Sequence, residues 1–385
     1  MSASQSASAL ARAVLEPIAA QAGDRGLLSP AQQRVWFVEQ MHGDRSLYGE
    51  GLVLTLRGEL DADALARALQ RVVDRHAVLR SVFHEREGEP IQVVHPTLTL
   101  ALTPIDLRAL AEPAREQAAR RHVTALVRPR FDLVRGPLIR AALLRITDGE
   151  HRLVLALHHL IFDGWSTGVL LGELAQGYAA LREGREPALP ELPIQFGDWV
   201  RWQRQLSEQS DLGPLCRRLA GFPQVLALSR RPPGDNFAGR TWATRLDGAL
   251  ARRIRERAAA QGATAYHWLL ACYAVVLQAW SGQERFIVGS PMANRLHPQA
   301  AGLIGFFANT MAIPCALAAA LPFTALVEQL RDSTLALAEH AHLPFDRVVD
   351  ALGVDRSTER SPLVQVMFAY QESPTAGLRL ADLEV

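Results

Sequence analysis

Strand and helix patterns alternate on both sides of a stretch rich in Pro, Gly and Arg, residues 182–240. Before this stretch, the apolar run LVLAL at residues 153–157 is typical of a strand buried on both faces, and a helical pattern follows at residues 166–181. After it, a predicted strand at residues 241–246 leads to two predicted helices and a further strand. This recurrence predicts an α/β protein with two lobes of related architecture.

Apolar periodicity predicts the other elements. A helix that Asp61 or Asp63 can cap places Leu65, Leu69 and Val72 on one face. The remaining predicted elements are strands at residues 53–56, 78–84, 91–95, 138–146 and 286–288, and helices at residues 199–206, 250–260 and 265–280. We therefore divide the chain into an N-terminal appendage at residues 1–27, an N-terminal lobe at residues 28–181, an inter-lobe connection at residues 182–240 and a C-terminal lobe at residues 241–385.

Composition excludes several classes of protein. The net charge is +1 over 385 residues and the basic residues are dispersed, so we expect no nucleic-acid partner. Cys216, Cys272 and Cys315 are far apart, which favours a reducing compartment over a disulfide framework, and Cys272 is expected in the core. The sequence has neither a secretory signal nor an apolar run of about 18 residues. We expect a cytoplasmic protein with no membrane partner.

The motif HHLIFDGWS, residues 158–166, lies between the apolar strand and the helix that follows it. A histidine here, such as His159, can act as a general base near neutral pH. Asp163 can fix the turn by accepting backbone N–H groups or by pairing with an arginine. Gly164 leaves its N–H available to a developing oxyanion. The motif therefore fits acyl-transfer chemistry.

The same motif also fits a structural role. A His-His pair after a strand can be incidental, and Asp-Gly is a common turn. On the motif alone, both interpretations stay open. A metal site is not expected, because no third ligand lies nearby and His158 and His159 lack the helical i, i+4 spacing.

Over nearly its whole length the chain resembles the condensation domains of nonribosomal peptide synthetases, whose superfamily signature is HHxxxDG. Further motifs follow in the family's order. They are LSPAQQRVWF at 28–37, RHAVLRSVF at 75–83, FDL at 131–133 with GPL at 136–138, QFGDW at 195–199 with WQ at 202–203, VGSP at 288–291 followed by Arg295, IGFFANT at 304–310, HLPFD at 342–346, and SPL at 361–363 followed by Phe368.

The resemblance implies a pseudodimer of two chloramphenicol-acetyltransferase-like lobes with a tunnel between them. Donor and acceptor peptidyl carrier proteins would dock at opposite ends and send their phosphopantetheine arms to meet at His159. The acceptor's α-amine would attack the donor thioester and form an amide bond. The domain itself would bind no cofactor.

The resemblance also implies roles for single residues. His159 would be the base or the residue that positions the amine, and His158 would pack inward and order the loop. Asp163 would be structural, and we hypothesise that it pairs with Arg295 from the second lobe. Gly164 would keep the tunnel open.

Further roles concern the substrate. Asn309 would donate a hydrogen bond towards the reacting carbonyl, with a capping or loop role as the alternative. Trp165 and Ser166 begin a run that suits either an L- or a D-configured donor. Five residues in the first lobe resemble scaffold contacts: Gln32, Arg34, Arg75, His76 and Arg80.

Two departures from the family pattern matter. Ala77 stands where the family often has Glu, and the C-terminal lobe is expected to be incomplete, because family members continue with further strands and a helix. Residues 1–27 are expected to recruit an upstream synthetase subunit. The alternatives to condensation are a stand-alone acyltransferase on a free amine or alcohol, and a non-catalytic recruitment platform.

Overall fold

The computed structural model describes residues 13, 15–21, 23, 25–41, 47–228, 239–318, 320–354, 361–371, 373, 375 and 377–385. They form two compact units. The larger unit comprises the described residues within 9–208, 295–308 and 372–385, and the smaller unit comprises those within 209–294 and 309–371. The unit that contains HHxxxDG includes residues 182–208, 295–308 and the described residues within 372–385, which the division by sequence assigned to the inter-lobe connection and the C-terminal lobe.

The described part of the larger unit contains two sheets. Its strands are β1 (Arg25–Leu27), β2 (Gly49–Arg57), β3 (Ser81–Arg86), β4 (Glu89–Val94), β5 (Pro104–Asp106), β6 (Ile139–Arg145) and β7 (Glu150–His158). Its helices are α1 (Pro30–Met41), α2 (Ala62–Arg75), α3 (Ala114–Val127), α4 (Gly164–Arg182) and α5 (Phe196–Glu208). One sheet has the order β1-β4-β3 and the other the order β2-β7-β6-β5, in which β5 and β6 are parallel and the other pairs antiparallel.

The predicted apolar strand is the centre of the second sheet. Residues 153–157 are at most 1% exposed, and β7 is hydrogen-bonded between β2 and β6. The β2–β7 register pairs Gly49 with His158 at one end and Arg57 with Glu150 at the other. The first residues of β2 therefore lie beside the end of β7, where the histidines are.

The predicted helix after Asp61 is confirmed as α2, with Asp61 as its N-cap. Leu65, Leu69 and Val72 are at most 1% exposed, and the Asp61 carboxylate accepts a hydrogen bond from the Ala64 N–H at 2.8 Å. An apolar stripe and an N-cap therefore specify this helix together. It packs against α4, where Gly177 lets the two helices approach closely, since a Cβ there would lie 3.3 Å from Ala68 Cβ.

The smaller unit contains an antiparallel pair of strands and five helices among its described residues. The elements are α6 (Gly213–Leu219), α7 (Gly248–Ala259), α8 (Ala265–Ser281), β8 (Arg285–Met292), β9 (Asn309–Ala316), α9 (Phe323–Ala338) and α10 (Phe345–Ala351). Gly289 of β8 also forms a parallel bridge with Met367. The helical predictions at 250–260 and 265–280 are confirmed, and the strand predicted at 286–288 lies inside β8.

Three local predictions are wrong. Residues 241–246 are exposed and form no strand, because within the described chain no neighbouring strand bonds their backbone. The strand predicted at 78–84 begins as a 3₁₀ turn, Ala77–Arg80, and becomes β3 only at Ser81. Cys272 is exposed, because α8 packs its other face, including Leu270 and Ala271, on the core.

No helix in the described ranges combines the length and apolar character needed to cross a lipid bilayer. Residues 1–12 of the predicted appendage lie outside the described residues. The described part that follows is bonded to the larger unit: the Ile18 N–H donates to Gln299 Oε1 at 2.7 Å, and the Gln21 N–H donates to Asp198 Oδ1 at 3.0 Å. Ile18 itself is buried.

Residues 295–308 pack on α5 through an aromatic cluster. Phe307 lies edge-on to Phe196 with ring centroids 4.9 Å apart, and its centroid lies 4.5 Å from that of Trp199. Gly305 passes directly against this cluster. A Cβ at Gly305 would lie 2.2 Å from Phe196 Cδ2, which is far inside van der Waals contact.

We expect Gly305→Ala to destabilise the chain by about 1–3 kcal/mol, since the added methyl group must displace a packed ring. Gly302→Ala is the matched control, because the nearest heavy atom to a Cβ at Gly302 is 3.9 Å away. Urea unfolding followed by tryptophan fluorescence measures the difference. Equal midpoints for the two variants would contradict this account of the packing.

Candidate active site

The motif HHxxxDG connects the end of β7 to the start of α4. His158 is the last residue of β7, residues His159–Ile161 form a short 3₁₀ turn, and Asp163 is the N-cap of α4. Gly164 is the exposed first residue of the helix, where backbone N–H groups have no intrahelical acceptor. The loop therefore presents two histidines beside a helix N-terminus.

His158 points inward and is fully buried. Its Nδ1 accepts the Leu160 N–H at 3.1 Å, so in the neutral ring the proton is on Nε2. Nε2 lies 3.4 Å from Glu39 Oε1, longer than a normal hydrogen bond, so this contact is mainly electrostatic. Glu39 Oε1 also accepts the N–H groups of Leu47 and Tyr48 at 2.9 and 3.1 Å. His158 is therefore packed inward and bonded to the backbone of the loop.

Burial and hydrogen bonds together set the charge states of His158 and Glu39. It lowers the pKa of His158, and the neighbouring Glu39 carboxylate only partly opposes that effect. Burial also acts to raise the pKa of Glu39, but the contact with His158 and the two backbone N–H groups outweigh it and leave that pKa lowered. The pair therefore consists of an ionised Glu39 and a predominantly neutral His158 at neutral pH.

His159 differs from His158 in exposure and in the hydrogen bond that its Nδ1 makes. Its side chain is 27% exposed, and its Nδ1 lies 3.1 Å from the carbonyl oxygen of Phe162, to which it donates. In the neutral ring Nε2 is therefore the basic nitrogen. The rings of Tyr48 and Phe306 lie 6.3 and 5.5 Å from the imidazole, centroid to centroid, and limit its rotation. His159 is thus oriented and accessible.

Glu50, near the start of β2, is the acidic neighbour of His159. Its Oε1 lies 2.9 Å from His159 Nε2. Burial acts to lower the pKa of His159, but the hydrogen bond and charge of Glu50, with smaller contributions from the Phe162 carbonyl and the Asp163 charge, leave that pKa raised. The pKa of His158 is therefore lowered and the pKa of His159 is raised from the ordinary histidine value.

Asp163 is the centre of a buried polar network. Its Oδ1 accepts the backbone N–H of Ser166 at 2.9 Å and lies 2.7 Å from Ser166 Oγ. Its Oδ2 accepts the Phe307 N–H at 3.0 Å. Arg295 Nη2 lies 3.3 Å from Oδ1 and 2.9 Å from Ser166 Oγ. The carboxylate therefore caps α4 and holds residues 295–308 at the same time.

Arg295 forms the hypothesised pair with Asp163, but within the larger unit and not from a second lobe. The chain enters the larger unit at this residue, since residues 295–308 pack on α5. Arg295 Nη1 donates to the carbonyls of Ala300 and Leu303 at 2.7 and 2.6 Å. Burial lowers the pKa of Arg295, while Asp163 acts to raise it. Both side chains are at most 3% exposed.

Trp165 and Ser166 differ in exposure although they are adjacent. Trp165 is 52% exposed and its Nε1–H donates to the Ala301 carbonyl at 3.2 Å. Ser166 is fully buried, and its Oγ accepts the Gly305 N–H at 3.1 Å. Ser166 is therefore part of the Asp163 network, and Trp165 presents a large apolar surface to solvent.

Asn309 belongs to the smaller unit and has a loop role there. Its Nδ2 donates to the carbonyls of Ala341 and Leu343 at 3.0 and 2.6 Å, and its Oδ1 accepts the Phe345 N–H at 3.1 Å. Both amide hydrogens are engaged, so a bond to a reacting carbonyl would require one of these contacts to break. This geometry is that of the capping alternative.

The predicted scaffold contacts in the larger unit are confirmed for the following residues. Gln32 Nε2 donates to the Leu160 carbonyl at 2.7 Å, which supports the loop from α1. Arg75 Nε donates to Glu173 Oε1 at 2.9 Å.

Within the described ranges, no cluster of three or more His, Cys, Asp or Glu side chains has the arrangement of a metal site.

Sequence reasoning missed Glu39 and Glu50. Neither residue belongs to a local motif with the histidines, and the sequence around each one carries no pattern that marks it as functional. The signal that could have found Glu50 is the pairing of β2 with β7, because that register places residue 49 opposite His158. A register of this kind is not fixed by the sequence of either strand alone.

The family model described as Condensation domain matches residues 24–383 of the chain. A linear gramicidin synthase of Brevibacillus parabrevis is 37% identical over 392 residues, covering 98% of this chain and 8% of that protein. Phosphinothricin tripeptide synthetase PhsC of Streptomyces viridochromogenes is 37% identical over 356 residues, covering 91% of this chain and 33% of that protein. The chain therefore spans a third or less of the length of these relatives.

Solved structures give the same fold. The crystal structure of the first condensation domain of the CDA synthetase matches with a TM-score of 0.77 at 22% identity, covering 91% of this chain and 88% of that chain. The X-domain from teicoplanin biosynthesis matches with a TM-score of 0.78 at 27% identity, covering 91% of this chain and 78% of that chain. The α/β fold class predicted from the sequence is confirmed.

We expect Asp163→Asn and Arg295→Met each to destabilise the chain by about 3–5 kcal/mol, because each leaves one buried charge without its partner. The double variant should lose much less free energy of unfolding than the two single variants lose together. The double-mutant cycle should therefore give a large coupling energy between Asp163 and Arg295. The matched control is Glu116 with Arg120, an exposed pair at 3.0 Å whose coupling should stay below about 1 kcal/mol. Unfolding in urea measures all the free energies, and coupling no larger than the control would contradict the prediction.

Proposed function

This chain belongs to the condensation-domain family, and we propose that it forms an amide bond between two carrier-bound substrates in nonribosomal peptide synthesis. The donor is an aminoacyl, peptidyl or acyl thioester, and the acceptor is the amine of an aminoacyl thioester. The observation that carries the proposal is the orientation of His159, whose side chain is 27% exposed: Nδ1 donates to the Phe162 carbonyl, so in the neutral ring the basic nitrogen is Nε2, which lies 2.9 Å from Glu50 Oε1.

The reaction needs a proton to move. An α-amine with a pKa of about 8 is partly protonated at neutral pH and must be neutral to attack. The amine nitrogen bonds to the thioester carbonyl carbon, His159 Nε2 takes the proton that this nitrogen loses, and the C–S bond breaks. The thiolate of the donor's phosphopantetheine arm leaves and takes the proton from His159, which returns the imidazole to its neutral form. Alignment of two tethered reactants can contribute about 7–11 kcal/mol to such a step.

The other motif residues divide into two roles. Gly164, at the exposed start of α4, offers its N–H to the oxyanion that develops on the thioester carbonyl. His158 and Asp163 are positioning residues, because both are buried and act on the loop through Leu160 and Ser166. Arg295 and Ser166 support Asp163. We infer that Trp165, which is exposed beside this loop, contacts the donor.

A recruitment platform is the second candidate. A solved structure of the X-domain in complex with OxyB from teicoplanin biosynthesis matches this chain with a TM-score of 0.77 at 26% identity. That likeness favours a role in which the fold binds a partner enzyme. The arrangement of His159 favours catalysis, since recruitment has no need of an oriented, accessible imidazole.

We expect His159→Ala to lower the rate of transfer from a donor carrier to an acceptor carrier by about 10²–10⁴-fold, because the general base is lost. Intact mass spectrometry of the acceptor carrier follows the product. His122→Ala is the control, since His122 is a partly exposed histidine on α3, away from the motif. No product from folded wild type, with both carriers binding, would favour recruitment. Product with a free amine or alcohol and no acceptor carrier would favour a stand-alone acyltransferase.

We further propose that residues 1–27 recruit an upstream synthetase subunit, residues 1–12 contributing to that contact, and that the protein is cytoplasmic, as its three free cysteines suggest. Deletion of residues 1–12 is the suitable test, because Ile18 and Gln21 are bonded to the larger unit and must stay. We expect transfer from the upstream subunit to fall and transfer from a saturating isolated donor carrier to remain. Equal intersubunit transfer with and without residues 1–12 would exclude the docking role.

A further inference from the structure

Glu50 contacts the nitrogen of His159 that the proposed reaction uses. The carboxylate Oε1 lies 2.9 Å from Nε2, while Nδ1 is occupied by the Phe162 carbonyl. A carboxylate accepts hydrogen bonds and donates none, so this contact is a hydrogen bond only when Nε2 carries a proton. Because Nδ1 also carries one, the structure shows the geometry of an imidazolium held at both nitrogens.

The backbone places Glu50 beside the ring. Gly49 is paired with His158, and the His159 N–H donates to the Tyr48 carbonyl at 2.9 Å, so β2 continues alongside the turn that follows β7. Glu50 therefore lies on a strand of the β2-β7-β6-β5 sheet and not on a free loop. Its side chain is 44% exposed, which lets the carboxylate leave Nε2 when a substrate enters.

The titratable groups that face His159 come from three elements. Glu50 approaches from β2, Asp163 from the N-cap of α4, and His158 from the end of β7. Asp163 is already committed to Arg295 and to backbone N–H groups, and His158 is paired with Glu39. The Tyr48 and Phe306 rings cover other sides of the imidazole. Glu50 is thus the carboxylate in hydrogen-bond contact with the ring.

We propose that Glu50 is a positioning residue for condensation: its carboxylate holds the imidazole of His159 through Nε2 and thereby sets the pH below which that nitrogen no longer accepts a proton. The inference rests on the proposed function, because it concerns the same histidine. At low pH the imidazolium stays bound to Glu50. As the pH rises, Nε2 loses its proton, the contact weakens, and the lone pair becomes available to the acceptor amine.

The direction of the effect follows from the charges. Glu50 favours the protonated ring and burial opposes it, so the pKa of His159 is raised in the wild type. Glu50→Gln removes the charge and leaves the burial, which lowers that pKa. A reaction that needs neutral His159 is lost as the pH falls through its pKa. The acid limb of the rate profile should therefore move to lower pH in the variant.

The first measurement is an NMR titration of the His159 ring in the full chain labelled with [¹³Cε1]-histidine and assigned with His159→Ala. Its midpoint should fall in Glu50→Gln and stay nearer to wild type in Glu50→Asp, which keeps the charge. Glu150→Gln is the matched control, because it removes the same charge from the opposite end of the β2–β7 pair. That control should leave the midpoint unchanged.

The second measurement is the pH profile of single-turnover transfer between carriers. Glu50→Gln should keep a larger fraction of its maximal rate at pH 6 than the wild type does, and Glu150→Gln should match the wild type. An unchanged His159 midpoint in Glu50→Gln overturns this inference alone, whatever the transfer rates are. A lowered midpoint with an unmoved acid limb overturns the role of Glu50 in the reaction. Absence of transfer in the wild type overturns the proposed function instead.

Discussion

The ion pair between Asp163 and Arg295 is the interaction on which the rest of the site depends. Two buried charges are costly to remove from water, and the pair is stable only because every oxygen of the carboxylate and both terminal nitrogens of the guanidinium have partners. Those partners lie on two pieces of chain distant in sequence, the start of α4 and residues 295–308. Because an unpaired charge at this place is so unfavourable, the pair specifies one arrangement of these two pieces.

The two histidines show how backbone contacts can give adjacent side chains opposite properties. His158 accepts a backbone N–H at Nδ1, and His159 donates to a backbone carbonyl at the same atom. Their basic nitrogens are therefore different, and so are their surroundings: His158 is buried beside a carboxylate that already has other partners, while His159 is partly exposed beside one that can move. We assign the proposed proton-transfer role to His159 for this physical reason, and the motif alone could not distinguish the two rings.

The sequence predicted most elements of the larger unit because their signals are local. The apolar run of β7 and the stripe of α2 with its cap at Asp61 are examples. The sequence-based prediction failed where a structural feature depends on residues that are distant in sequence. Residues 241–246 have a strand-like pattern, but a strand needs a bonded neighbour. Cys272 lies in an apolar helix, but only tertiary packing decides which face of that helix is buried. Glu50 is found only through strand register.

A second carboxylate, that of Glu173, connects α4 to neighbouring parts of the larger unit. Glu173, from the middle of α4, pairs with Arg75 through one oxygen and with His76 Nε2 through the other, both at 2.9 Å. His76 Nδ1 in turn accepts the Ile304 N–H at 3.3 Å. One carboxylate on α4 thus connects α2 to residues 295–308, as Asp163 connects the start of α4 to the same segment. With α4 fixed at two points and the loop before it bonded to Gln32 and Tyr48, His159 remains partly exposed while its orientation is maintained.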